Sequence, residues 1–195
     1  MMKRLVDIVF SAIGLILLSP FFCIVALWVK LDTPGPILFR QVRVGKDGKT
    51  FRIFKFRTMV ADAEYAGHQI TVGDDPRITK SGRFLRSYKL DEFPQLLNVF
   101  FGDMSMVGPR PEVPRYVEMF KDAYKAVLQV KPGITDFAAV EFSNEEEVLK
   151  KYDRPEEGYI KEVLPRKIEL YKKYLKEKCF RTDMKLIILT LKKLL

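Results

Sequence analysis

"SYKLDEFPQLLNVFFGDMSMVGPRPE", residues 87–112, sets two adjacent carboxylates, Asp91 and Glu92, ahead of a proline and an apolar run in a chain whose formal charge is +9. Leu90, Phe93, Leu96, Leu97, Phe100 and Phe101 recur at three- and four-residue spacing, which predicts a helix over 90–101 stopped by Gly102. Pro94 then belongs in the first turn, where no donor is missed. That register puts Asp91 and Glu92 at the positive end of the helix, where the macrodipole favours ionised carboxylates. Acidic residues are ordinary in a first turn, so the pair alone does not make a site. Its surroundings add more: Arg77, Lys80, Arg83, Arg86 and Lys89 stand three apart upstream, and a loop with two prolines around Arg110 follows. Phosphate-handling sites bring carboxylates, a divalent cation and arginines together, because the metal bridges carboxylate and phosphate while arginine offers a fork of donors.

Upstream, Ile8 to Val29 carries no charge for 22 residues, enough to match a hydrocarbon core that needs about 20. The run is long for the apolar part of a signal peptide, and no small-residue cleavage pattern follows it. Pro20 removes a backbone donor near its middle, so a break or sharp kink is expected beside Ser19, whose hydroxyl can bond a freed carbonyl. Basic residues flank both ends, Lys3 and Arg4 before, Lys30, Arg40 and Arg43 after, which pulls both ends to the cytoplasm. The residues alone leave a re-entrant and a single-pass helix equally open, since spanning helices also tolerate proline.

With 195 residues, 48% of them hydrophobic, there is room for one core, and we expect a membrane helix over 1–32 and a catalytic domain over 33–195. The positive excess favours phosphate-rich partners without choosing among nucleic acid, anionic lipid and nucleotide sugar. No recognisable nucleic-acid motif is present. Cys23 and Cys179 are far apart and form no disulfide or zinc spacing. His68, the sole histidine, reads as an exposed loop residue.

"ILFRQVRVGKDGKTFRIFKFRTM" alternates around Asp47-Gly48 and predicts a β-hairpin with a type I′ turn. Its many basic side chains read as a solvated face or as headgroup contacts. A helix is expected over Val113 to Val130, a turn at "KPGIT", a solvated acidic tract from Glu141 to Glu157, and a basic amphipathic pattern from Pro165 to Leu195 that suits a core or an interfacial helix.

In their order, "KRLVDIVFS" with Ser19-Pro20, "FKFRTM", "DPRITKSGRFLRSYKLDEFPQLLNVFFGDMSMVGPRPE", "VKPGIT" and "TDMKLIILT" resemble the bacterial sugar transferases, the monotopic phosphoglycosyl transferases that begin lipid-linked glycan assembly. The resemblance covers nearly the whole chain and begins where the family's minimal catalytic form begins. It implies an α+β, mainly helical fold: a re-entrant membrane helix broken at Ser19-Pro20, a small β-hairpin, a catalytic helix region and amphipathic interfacial helices. It also implies a place at the inner membrane, with the catalytic domain on the cytoplasmic face.

By the same resemblance, Asp91 is the nucleophile that takes a phosphosugar from a nucleotide diphosphate sugar, with a family leaning to uridine, and Glu92 is a magnesium ligand. Polyprenyl (undecaprenyl) phosphate is the implied acceptor. Lys55, Arg86, Arg110 and Pro111, the last two inside "PRP", match positions near the donor phosphates or nucleotide. After "KPGIT" the family commonly reads Gly-Trp-Ala-Gln-Val and then Asn-Gly-Arg, whereas this chain reads "DFAAVEFSNEEEV" from Asp136, so the sugar is left open. Two other function classes remain: another membrane-bound, metal-dependent phosphate enzyme, which would release phosphate or sugar phosphate, and a basic membrane adaptor, which would give Glu92 no role.

Overall fold

The structure, a computed structural model, describes residues 2–61, 63 and 75–194; His68 lies outside them. The longest element is α1 (Met2–Asp32), whose apolar central stretch is largely uncovered. It is helical straight through Pro20, so the expected break does not appear as an interruption. The lost hydrogen bond is compensated locally. Pro20 cannot donate to the carbonyl of Ile16, one helical turn earlier, and the Ser19 hydroxyl donates to that oxygen at 2.8 Å instead.

Both ends of α1 dock on the same folded body. Near its start, Lys3 donates to the Val107 carbonyl at 2.9 Å, to the Tyr174 hydroxyl at 2.7 Å and to Asp183 at 2.8 Å. Arg4 donates to the Val99 and Phe100 carbonyls, and buried Asp7 accepts from Ser105 Oγ and Met106 N. Near its end, Val25 and Val29 pack against Phe56 and Leu85, each such burial contributing about 1.5 kcal/mol or more. Asp32 accepts from the Ser81 amide and hydroxyl. Arg57, also buried, donates to the carbonyls of Val29, Thr33 and Pro34 and so satisfies the final turn of α1.

Next comes the hairpin, β1 (Leu38–Val44) antiparallel to β2 (Thr50–Phe56), with Leu38 opposite Phe56 and Val44 opposite Thr50. Asp47 and Gly48 both have positive φ, +58° and +75°, as a type I′ turn requires. The basic face is only partly solvated: Arg43, Lys55 and Arg57 turn inward to partners, while Lys46, Lys49 and Arg52 are exposed.

α2 (Lys80–Ser87) starts on Thr79, whose hydroxyl accepts from Gly82 N at 2.9 Å. Gly82 is required by close approach, since a Cβ there would lie 2.0 Å from the Thr58 carbonyl oxygen. Arg77 and Lys89 lie outside α2, so the basic row does not share one helical face. The expected helix over 90–101 is divided: Lys89 has φ +54°, Leu90–Glu92 form a single 3₁₀ turn, and α3 (Gln95–Phe101) begins only after Pro94, ending at Gly102 with φ +98°. The ring of Pro94 prevents a continuous α-helix over 90–101, and left-handed backbone at Lys89 separates the turn from α2.

β3 (Ser105–Val107) pairs in parallel with β4 (Gly133–Thr135), so "KPGIT" is a strand rather than only a turn. The helix expected over 113–130 is two, α4 (Pro114–Met119) and α5 (Lys121–Val127), parted at Phe120. Three short helices follow, α6 (Phe137–Glu141), α7 (Glu145–Leu149) and α8 (Pro155–Gly158). A π turn over Tyr159–Val163 leads into α9 (Leu164–Glu177), and α10 (Phe180–Leu194) closes the chain. The main core joins α4, α5, α6 and α9 through Tyr116, Tyr124, Ala138, Leu164 and Tyr171. Thus α9 is a core helix. α10 is mixed, with Leu186 buried and Ile188 and Leu191 exposed.

Candidate active site

The 3₁₀ turn at Leu90–Glu92 sits between the end of β2, the end of α2 and the loop after β3, and it delivers both carboxylates into a cleft of about 1670 Å³. Lys55, near the end of β2, donates to Glu92 Oε1 at 2.7 Å. Arg110 forks onto Glu92, with Nη1 to Oε2 at 2.9 Å and Nη2 to Oε1. Arg86, in the last turn of α2, faces the same cleft and pairs with Glu146. Pro111 lines it too, and its carbonyl accepts from Arg43 at 3.3 Å. Asp91, Glu92, Lys55, Arg86, Arg110 and Pro111 therefore share one cavity. Ser19 and Pro20 do not line it, although Leu18 does.

Adjacent in sequence, the two carboxylates differ in environment. Burial would push Glu92 up, but Arg110 and Lys55 hold it well below the usual carboxylate range. Asp91 is buried and makes no hydrogen bond or ion pair to a described residue. Burial pushes it up to about 6, against the pull of Lys55 and, more weakly, of Arg86 and Arg110. This corrects the macrodipole reading: Asp91 lies four residues before α3, and nearby side-chain cations rather than a helix end favour its charge.

Several residues that line the cleft or bond to its lining escaped the sequence reading. Asp136 is fully buried; its Oδ1 accepts from Ala139 N at 2.6 Å and its Oδ2 from Arg110 N at 3.0 Å. Burial pushes it up to about 6 despite those two amides. Buried Lys167 pairs with Glu145. Glu145 and Glu146 thus face the cleft rather than forming a solvated surface, though Glu141 and Glu147 are exposed. The available signal was the Asp136 departure from the family pattern; the partners of Glu145 and Glu146 are too distant in sequence for spacing to reveal.

The bacterial sugar transferase profile matches residues 1–195. The chain is 39% identical over 195 residues to the UDP-glucose:undecaprenyl-phosphate glucose-1-phosphate transferase of Escherichia coli, covering 97% of this chain and 39% of that protein. A putative undecaprenyl-phosphate N-acetylgalactosaminyl 1-phosphate transferase of Bacillus subtilis is 46% identical over 127 residues, 65% of this chain and 71% of that one. An uncharacterized sugar transferase of the same species is 34% identical, over 100% of this chain and 87% of its own length. The chain belongs to the bacterial sugar transferase family. It spans little more than a third of the Escherichia coli member.

Within that family assignment, the donor set bears on a metal. Among the described residues no three His, Cys, Asp or Glu side chains stand together to hold an ion. Two adjacent carboxylates remain, and Mg²⁺ at phosphate sites commonly uses one or two carboxylates with substrate phosphates and water. Glu92, with Asp91 beside it, fits an ion that is bound together with a phosphate ligand. Glu92 Oε1 accepts from both Lys55 and Arg110, whereas Oε2 accepts only from Arg110 and keeps a further acceptor position.

Proposed function

We propose that this chain transfers a phosphosugar from a nucleotide diphosphate sugar, with UDP-sugars first among candidates, to polyprenyl phosphate through a covalent aspartyl intermediate. One observation carries the reading. Asp91 is a carboxylate with no hydrogen bond to a described residue, in a cleft shared with Lys55, Arg86 and Arg110, beside a Glu92 already neutralised by two of those cations.

An Asp91 oxygen attacks the phosphorus that bears the sugar; an Asp91 O–P bond forms, the P–O bond to the neighbouring phosphate breaks, and nucleoside monophosphate leaves with that electron pair. An oxygen of polyprenyl phosphate then attacks the same phosphorus, the Asp91 O–P bond breaks, and the carboxylate is regenerated as polyprenyl diphosphate sugar departs. Lys55 and Arg110 hold Glu92 in place and offset the donor's negative charge, and Arg86 supplies a further fork once it leaves Glu146. Glu92 would hold a magnesium ion together with the donor, and the ion would supply charge neutralisation as one anion approaches another.

Docking of both α1 ends on one body supports a re-entrant anchor, with both ends at the cytoplasmic face of the inner membrane. There a soluble nucleotide sugar and a lipid phosphate meet at one surface. The test is to incubate purified protein, polyprenyl phosphate and magnesium with a panel of nucleotide sugars and measure nucleoside monophosphate. Release with at least one donor, matched by a lipid-linked sugar, is expected. Release of inorganic phosphate or free sugar phosphate alone would move the protein to a hydrolase class.

A further inference from the structure

Between Pro109 and Pro111 the backbone has one amide hydrogen, that of Arg110, because proline has none. The flanks of this tripeptide are fixed by ladder-like bonds: Gly108 N donates to the Thr135 carbonyl at 3.0 Å, Gly133 N to the Pro109 carbonyl at 3.0 Å, and Val44 N to the Glu112 carbonyl at 2.9 Å. At the centre, a side chain replaces the ladder, and Asp136 Oδ2 accepts the Arg110 amide at 3.0 Å. Its other oxygen accepts Ala139 N at 2.6 Å, which caps α6. One fully buried carboxylate thus links the arginine that forks onto Glu92 to the segment carrying Glu145 and Glu146.

We propose that Asp136 is a positioning residue that fixes the backbone of Arg110, and through it the guanidinium, relative to Glu92 and the donor phosphates. This rests on the function proposed above. A bidentate contact tolerates little displacement, and a misplacement of about 1 Å can cost about 100-fold in rate. Pro109 and Pro111 have fixed φ, and Pro111 also narrows the ψ of Arg110, which leaves the φ of Arg110 to be set and makes the amide bond to Asp136 the remaining local restraint. The Asp136 side chain reaches Arg110 from the divergent segment, so donor handling and that segment are mechanically joined.

The test combines kinetics with amide exchange. Asp136→Asn keeps the shape but can accept from only one of the two amides and turns a donor toward the other. In the full chain, donor kcat/KM should fall about 10- to 100-fold, and deuterium exchange at Arg110, the sole amide of its Pro-Arg-Pro unit, should accelerate. Because Arg110→Lys already loses the fork, adding Asp136→Asn to it should cost less than twofold more. Full multiplication of the two losses, or unchanged kinetics with unchanged exchange, would overturn the proposal. Should Asp136→Asn not fold, wild-type exchange decides: protection at Arg110 supports the bond, and exchange at the rate of an unstructured peptide removes it. A wild-type protein inactive on every nucleotide sugar would instead refute the proposed function, leaving the exchange result to judge Asp136.

Discussion

At Glu92 both carboxylate oxygens are engaged by Lys55 and Arg110, whereas Asp91, one residue earlier, has no such partner among the described residues, so substitutions at the two should fail differently. Asp91→Asn should abolish turnover while leaving the fold intact, because an amide cannot attack phosphorus and no hydrogen bond to a described residue is lost. Intact-mass measurement of the wild type with donor and no acceptor should show one added phosphosugar, absent from Asp91→Asn; near-normal turnover by that variant would falsify the covalent route. Glu92→Gln should raise the magnesium requirement and also loosen Lys55 and Arg110, so activity loss should be accompanied by lower thermal stability. Arg110→Lys should raise donor KM about tenfold, since lysine lacks the planar fork. At this scale the sequence was informative where roles sit within a motif: Asp91, Glu92, Arg110 and Pro111 lie within 21 residues of one another. Asp136 was illegible as a partner of Arg110, because their contact depends on β3 and β4 lying side by side.

Among the elements, α7 sets Glu146 against Arg86 in the cleft. A donor phosphate must compete with that carboxylate, so Glu146→Gln should lower donor KM about two- to fivefold, the scale of a partly exposed ion pair. An unchanged KM would take Arg86 out of the donor route. For α1, replacing Ser19-Pro20 by Ala-Leu should restore the backbone donor that Pro20 lacks and move the N-terminus across the membrane. Accessibility of Met2→Cys to an impermeant thiol reagent, without Cys23 and Cys179, reads the outcome. External labelling of the otherwise native segment would rule out a re-entrant anchor. The hairpin was legible because Asp47-Gly48 fixes its own turn. The split at Phe120 was not, since Tyr116, Val117, Tyr124 and Val127 keep a helical spacing across it and all reach the same core.

For the whole molecule, the buried acid Asp136 makes stability depend on pH. Its folded pKa, about 6, exceeds the unfolded 3.8, so the native state binds more protons between those values. Relative to Asp136→Asn, the wild type should therefore lose stability as pH rises from 4 to 7, by up to about 3 kcal/mol. Denaturant unfolding of both proteins at the two pH values measures this, and a constant difference would contradict it. Among the hydrogen bonds of the described residues, the one that spans the most sequence has a consequence of a different kind. Lys3 and Asp183 are 180 residues apart, and ribosomes add about 5–20 residues per second. After Lys3 is made, roughly 10 to 40 s must pass before Asp183 exists. The partners of α1 between Val99 and Val107 exist well before then, but its ion pair with Asp183 does not, so delivery of this apolar helix to the bilayer during translation precedes closure of the fold, and a late step joins α1 to α10.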